Sequence, residues 1–131
     1  MERDNIYLHK AQESLAGAQS EFVNGRYNNA ANRAYYACFQ AAVQALRDAG
    51  IEPHTTPGQW KHDALQATFA IELIRRRKAY SSQLAPVLLR NHELRGIADY
   101  ERHAMTETQA ARAVGRAEAF VGAVEQGGDR Q

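Results

Sequence analysis

The stretch Leu88-Leu89-Arg90-Asn91-His92-Glu93-Leu94-Arg95-Gly96-Ile97-Ala98-Asp99-Tyr100-Glu101-Arg102-His103 holds the densest set of residues able to do chemistry. Read as a helix, it puts Arg95 one step from Leu88, Asn91 and Ala98 on the apolar side. An arginine there needs a partner, because an unpaired buried charge is costly. Asp99 stands four residues on, within reach along the same face. The economical reading is a structural ion pair at a helix contact. A chemical reading adds histidine. At about 100° per residue, His92, Asp99 and His103 share a narrow stripe. An imidazole moves protons and a guanidinium steadies the charge of a phosphorane, so Arg95 with His103 would suit RNA cleavage without a metal.

Other candidates are weaker. His92, Asp99 and His103 do not stand at a recurring ligand spacing, so no metal is expected there. Cys38 falls on an apolar face and reads as a small core residue rather than a nucleophile. His9, His54 and His62 read as surface or capping residues. Arg75-Arg76-Arg77-Lys78 reads as a solvated helix end, and otherwise as an RNA or partner contact. P-loop, GxGxxG, HExxH and GxSxG motifs are absent.

Five helical segments position these residues. The first, from about Asp4 to Val23, carries Leu8, Ala11, Leu15, Ala18 and Phe22 on one stripe. Asn24-Gly25 supplies a left-handed stop, so the second helix returns antiparallel. That helix runs from about Asn29 to Ala49, with Asn28 or Asn29 as its cap. After a loop holding Pro53, Pro57 and Gly58, a third spans about Trp60 to Lys78. The fourth starts near Ser82–Pro86 and reaches about Arg102. The fifth starts at Thr106, where Thr106 and Gln109 make a T-x-x-Q capping box. The pattern predicts an all-α fold, a compact antiparallel four-helix bundle with one extra short helix. Residues 1–125 form a single domain on this reading, and 126–131 a flexible tail.

Composition agrees. The chain has 131 residues, 24 of them alanine and three proline, which favours helix. Hydrophobic residues make up 44% and charged residues 24%, ordinary for a folded domain and against disorder. A single cysteine excludes an internal disulfide and a thiolate zinc site. No apolar run approaches the ~18–20 residues of a membrane span, and the first residues lack a signal-peptide pattern. A cytoplasmic location is expected. Residues 75–103 carry seven basic and three acidic side chains, a modest positive stretch able to meet phosphates. The net charge of +1 does not suit a dedicated duplex-DNA binder.

Ala30-Ala31-Asn32-Arg33-Ala34-Tyr35-Tyr36-Ala37-Cys38-Phe39-Gln40-Ala41-Ala42 resembles the helix signature of the HEPN family, small helical domains of prokaryotic toxin–antitoxin and defence systems. Lys61-His62 before a helix, with Phe69 following, is similar to the family's third segment. Leu94-Arg95-Gly96-Ile97-Ala98-Asp99-Tyr100 resembles its Arg-x-x-Ala-Asp-Tyr version of the fourth helix. The resemblance spans about residues 5 to 125.

The resemblance implies a four-helix core with an extra short helix and a homodimer; no cofactor and no membrane association are expected. It also implies a small nucleotidyltransferase-like (MNT) antitoxin as partner. Active members look like metal-independent endoribonucleases, in which an arginine is followed after a few residues by a histidine. Here seven residues separate Arg95 from His103, and Asp99-Tyr100 stands where that histidine would fall. The expectation is therefore a dimeric, non-catalytic module that binds a partner, RNA or a nucleotide. Asp99, Tyr100, Arg33, Tyr36 and Asn91 are its binding or interface residues. The alternative is an endoribonuclease toxin using Arg95 and His103 as catalytic residues.

Overall fold

The computed structural model describes residues 4–53, 59–100 and 105–127, with residues 98–100 described by backbone alone. His54, His103, the side chains of Asp99 and Tyr100 and the last four residues of the expected tail therefore lie outside the described residues.

Helix α1 spans Ile6–Val23. Its first free N–H groups are met by side chains. Asp4 Oδ1 accepts from Ile6 N at 3.0 Å, and Gln44 Oε1 accepts from Leu8 N at 3.0 Å. Gly25 takes φ 76°, the left-handed conformation that closes the helix. Helix α2 then spans Tyr27–Asp48 and starts two residues before the expected Asn29. The expected Asn cap does not form. Asn28 Oδ1 instead accepts from Met105 N at 2.9 Å, and Asn29 Nδ2 donates to Glu21 at 3.3 Å. Both amides serve tertiary contacts.

The third segment is an α-helix only over His62–Thr68, here α3, and continues as a π-helical stretch over Phe69–Arg76. The sequence pattern predicts one α-helix to Lys78. In an α-helix each step of four residues drifts by about 40°. A wider turn reduces that drift and keeps Leu65, Phe69 and Leu73 on one line, and all three are buried. Lys78, at φ 51°, ends the stretch. Arg75 to Lys78 are exposed, with Arg76 paired to Glu72 and Arg77 donating to Ala49 O.

A 3-10 turn over Ser82–Leu84 leads into α4, Val87–Tyr100, so the fourth α-helix begins just after Pro86. Helix α5 spans Glu107–Glu125 and carries both bonds of the Thr106–Gln109 capping box.

The fold is all-α. Helix α2 lies at the centre of the bundle, lined by Ala30, Ala34, Ala37, Ala41 and Ala45, all buried. Such small side chains let helices approach closely. Side-chain pairs fix the directions. Gln12 meets Glu125 and Gln19 meets Glu118, so α1 and α5 run antiparallel. Tyr35 faces Arg95 while Cys38 meets Asn91, so α2 and α4 run antiparallel too. Among the described residues no helix is long and apolar enough to cross a membrane.

Candidate functional site

The site is built on Tyr35 of α2, which is 4% exposed. Its neighbour Tyr36 is 38% exposed, and the two rings meet edge to face at 5.1 Å. Arg95 comes down from α4 between them. Its guanidinium carbon lies 5.2 Å from the Tyr35 ring centre and 5.4 Å from that of Tyr36. Both distances are within cation–π range. The arginine expected to need a partner on an apolar face thus has two aromatic ones.

His92 lies three residues before Arg95 on α4, and its ring is 5.4 Å from Tyr35. His62, the first residue of α3, stacks on His92 with 3.7 Å between ring centres and 15° between planes. Tyr35 Oη and His62 Nδ1 are hydrogen-bonded at 3.3 Å. The half-buried His62 is therefore neither a surface nor a capping residue. Its Nε2 is shielded from solvent and meets no hydrogen-bond partner among the described residues.

Electrostatics follow from this crowding. Burial lowers the His62 pKa from its ordinary value, and the adjacent His92 and then Arg95 push the same way against Asp63. His62 is therefore neutral near pH 7. Burial pushes the Tyr35 hydroxyl up to about 12 although Arg95 opposes it, so Tyr35 stays protonated. Burial also pushes Cys38 up to about 12, which removes it as a nucleophile.

Tyr36 links this cluster to an open polar cleft of about 720 Å³ on the outer face of α1 and α2. Arg33, Asn32, Asn29 and Gln40 line it. Arg33 lies across Gly17 of α1, its Cδ 3.6 Å from where a Cβ would stand, so the small residue gives the long side chain a bed. Tyr36 thus stands between Arg95, which packs on its ring, and the cleft that it lines together with Arg33. The structure places Asn91 apart from them. Asn91 is fully buried, donates to Ala113 O at 3.2 Å and accepts from Arg116 Nε at 2.8 Å. Asp99 and Tyr100 occupy the last turn of α4.

Two members of the cluster, Tyr35 and His62, escape the spacing argument. The His62–Arg95 proximity joins segments far apart in sequence, and no helical period connects them. The only signal was Lys61-His62 at the head of the third helix.

The HEPN domain family model matches residues 5–127 of this arrangement. The chain belongs to the HEPN domain family. A curated relative from Methanocaldococcus jannaschii, named "Putative toxin", is 30% identical over 112 residues. The match covers 85% of this chain and 78% of the relative. In this HEPN chain the imidazoles beside Arg95 come from its own helix one turn earlier and from α3.

Proposed function

We propose that this HEPN protein is the toxin-type member of a toxin–antitoxin pair and that its target is RNA, engaged through Arg95, Tyr36 and the polar cleft beside them. The observation that carries the reading is the placement of Arg95 over Tyr35 and Tyr36, the second of which lines that cleft. A guanidinium meets a phosphodiester, and an aromatic face with nearby amides suits an unstacked base. The relative's name supports the toxin setting. A homodimer and an MNT-type antitoxin fit the same setting, the antitoxin covering the cleft.

A second reading, cleavage of the bound strand, is favoured by His62. A neutral imidazole beside a guanidinium is equipped to take the proton of an attacking 2′-hydroxyl while the cation holds the phosphate charge. Here His62 takes the part given to His103 by sequence.

The test uses a mixed-sequence RNA and the purified chain in EDTA. Binding is read by fluorescence anisotropy and cleavage on a gel, with Arg95→Ala and His62→Gln beside the wild type. Binding lost in Arg95→Ala is expected. Equal binding by Arg95→Ala would overturn the RNA site. Cleavage abolished by His62→Gln with binding kept would establish the second reading, and no cleavage by the wild type would leave binding alone.

A further inference from the structure

After α1, α2 and α5 the chain turns on a left-handed glycine, Gly25, Gly50 and Gly127 in that order. The π-helical stretch ends instead on Lys78, at φ 51°. Glycine is the ordinary choice there, because a Cβ crowds the following carbonyl in that conformation. A lysine kept in a strained position points to a use for its charge.

Lys78 closes a run of four cations, Arg75 to Lys78, and all four are exposed. The turn that carries them is fixed. Arg77 N donates to Glu72 O at 3.1 Å, and Ala79 N and Tyr80 N both donate to Leu73 O, at 2.8 and 3.3 Å. Leu73 and Tyr80 are buried. Arg77 Nη1 donates to Ala49 O at 3.1 Å, which pins the turn to the end of α2. Glu72 answers one of the four cations, Arg76. Arg75 and Lys78 form no ion pair among the described residues. Like charges set this close repel one another unless an anion meets them.

Helix α2 measures the distance from this turn to the Arg95 cluster. Arg95 packs on Tyr35, and Arg77 binds Ala49. At about 1.5 Å per residue, Tyr35 and Ala49 stand roughly 20 Å apart along the helix. The third segment bridges the same span, with His62 at the Arg95 end and Arg76 at the other. Ala67, Ile71 and Arg75, four residues apart, are all exposed, so an open ridge joins the two ends.

We infer that the Arg75–Lys78 turn is a second phosphate-binding site, which takes the backbone of the RNA strand engaged at Arg95 several nucleotides further along. The inference rests on the RNA reading of the Arg95 cluster. A stacked strand rises about 3.4 Å per nucleotide, so roughly six nucleotides reach from one contact to the other. Cations on phosphates position a strand without reading its sequence, so the turn adds affinity and register while Tyr36 and the polar cleft meet the bases. An acidic protein surface is the competing occupant. The ridge that leads from the turn to Arg95 favours the strand.

Fluorescence anisotropy with RNA strands of about 4 and about 12 nucleotides tests this, the short one read by competition. Lys78→Gly and Arg75→Gln together should weaken the long strand about tenfold at about 0.15 M salt and lower its salt dependence by about two counterions. The short strand should be unaffected, while Arg95→Ala weakens both. Lys78→Gly alone should melt at an equal or higher temperature, since glycine relieves the strain. Lys78→Arg should bind as the wild type does. A long strand that binds the double variant normally, yet is lost in Arg95→Ala, would overturn the second site, keep the RNA reading and leave the turn to an acidic protein. Equal weakening of both strands would overturn it too, because the charge then acts without a fixed spacing. A lower melt for Lys78→Gly would show that the lysine serves the fold, against the inference. No binding of either strand by the wild type would remove the RNA reading and this inference with it.

Discussion

His62 and His92 stack ring on ring at 3.7 Å, and this contact ties α3 to the middle of α4. Two imidazolium rings cannot share that space without strong repulsion, and burial together with His92 lowers the pKa of His62, so His62 is held neutral in the stack.

Acidification should therefore loosen the fold. A histidine whose folded pKa is lowered binds its proton more readily when unfolded. Its contribution to stability is fully present above the unfolded value of about 6.5 and is lost as pH falls from there through the lowered folded value. Thermal melts from pH 8 to pH 5 should show a falling midpoint below about pH 6.5. His62→Gln should flatten that slope. An NMR titration of His92→Gln should move the His62 pKa upward, since one of its depressing neighbours is gone. A His62 titration at the ordinary value in the wild type would refute the neutral His62.

Asn91 presents a different balance, because its amide serves three helices at once. Asn91→Ala leaves Arg116 Nε without its partner, removes the second bond to the Ala113 carbonyl, which keeps its own helical partner, and opens a small cavity. A loss of about 2–3 kcal/mol is expected in denaturant unfolding. Asn91→Leu should cost a comparable amount, because shape alone does not satisfy the orphaned Arg116 Nε. A loss below about 0.5 kcal/mol would mean that these bonds contribute little to stability.

Local signals in the sequence were legible because their partners lie within one turn. The Thr106–Gln109 box and the stop at Gly25 are of this kind. Signals that a distant partner redirects were not. Asn28 has the chemistry of a helix cap, yet it binds Met105 N, and α2 starts at Tyr27 without a side-chain cap. The widened turn over Phe69–Arg76 answers to the core it must face and leaves no mark in helical spacing. The same holds for the candidate site. Arg95 was legible as an arginine out of place on an apolar face. That it packs on Tyr35 and Tyr36, and that His62 completes the group, depends on how α3 returns to the bundle.

The capping box offers a clean calibration of local against tertiary effects. Thr106 accepts from Gln109 N at 3.1 Å, and Gln109 returns the bond to Thr106 N at 3.0 Å. Thr106→Ala should lower stability by about 1 kcal/mol, and Thr106→Ser should largely restore it. Denaturant unfolding of both variants checks this. Equal losses in the two would show that the methyl group rather than the hydroxyl carries the effect.

Cys38 tests the packing at the centre of the bundle. It is fully buried, its thiol lies within 3.5 Å of Asn91 Nδ2, and burial raises its pKa to about 12. A thiol reagent reacts with the thiolate, so the native protein should label far more slowly than the denatured chain at pH 8. Labelling would then need an opening of the fold, and its rate would report how often α4 separates from α2. Asn91→Ala should accelerate it, because the bond that joins those helices at Cys38 is removed. Rapid labelling of the folded wild type would show that the α2–α4 contact opens readily, and with it the shelf on which Arg95 and His92 are carried.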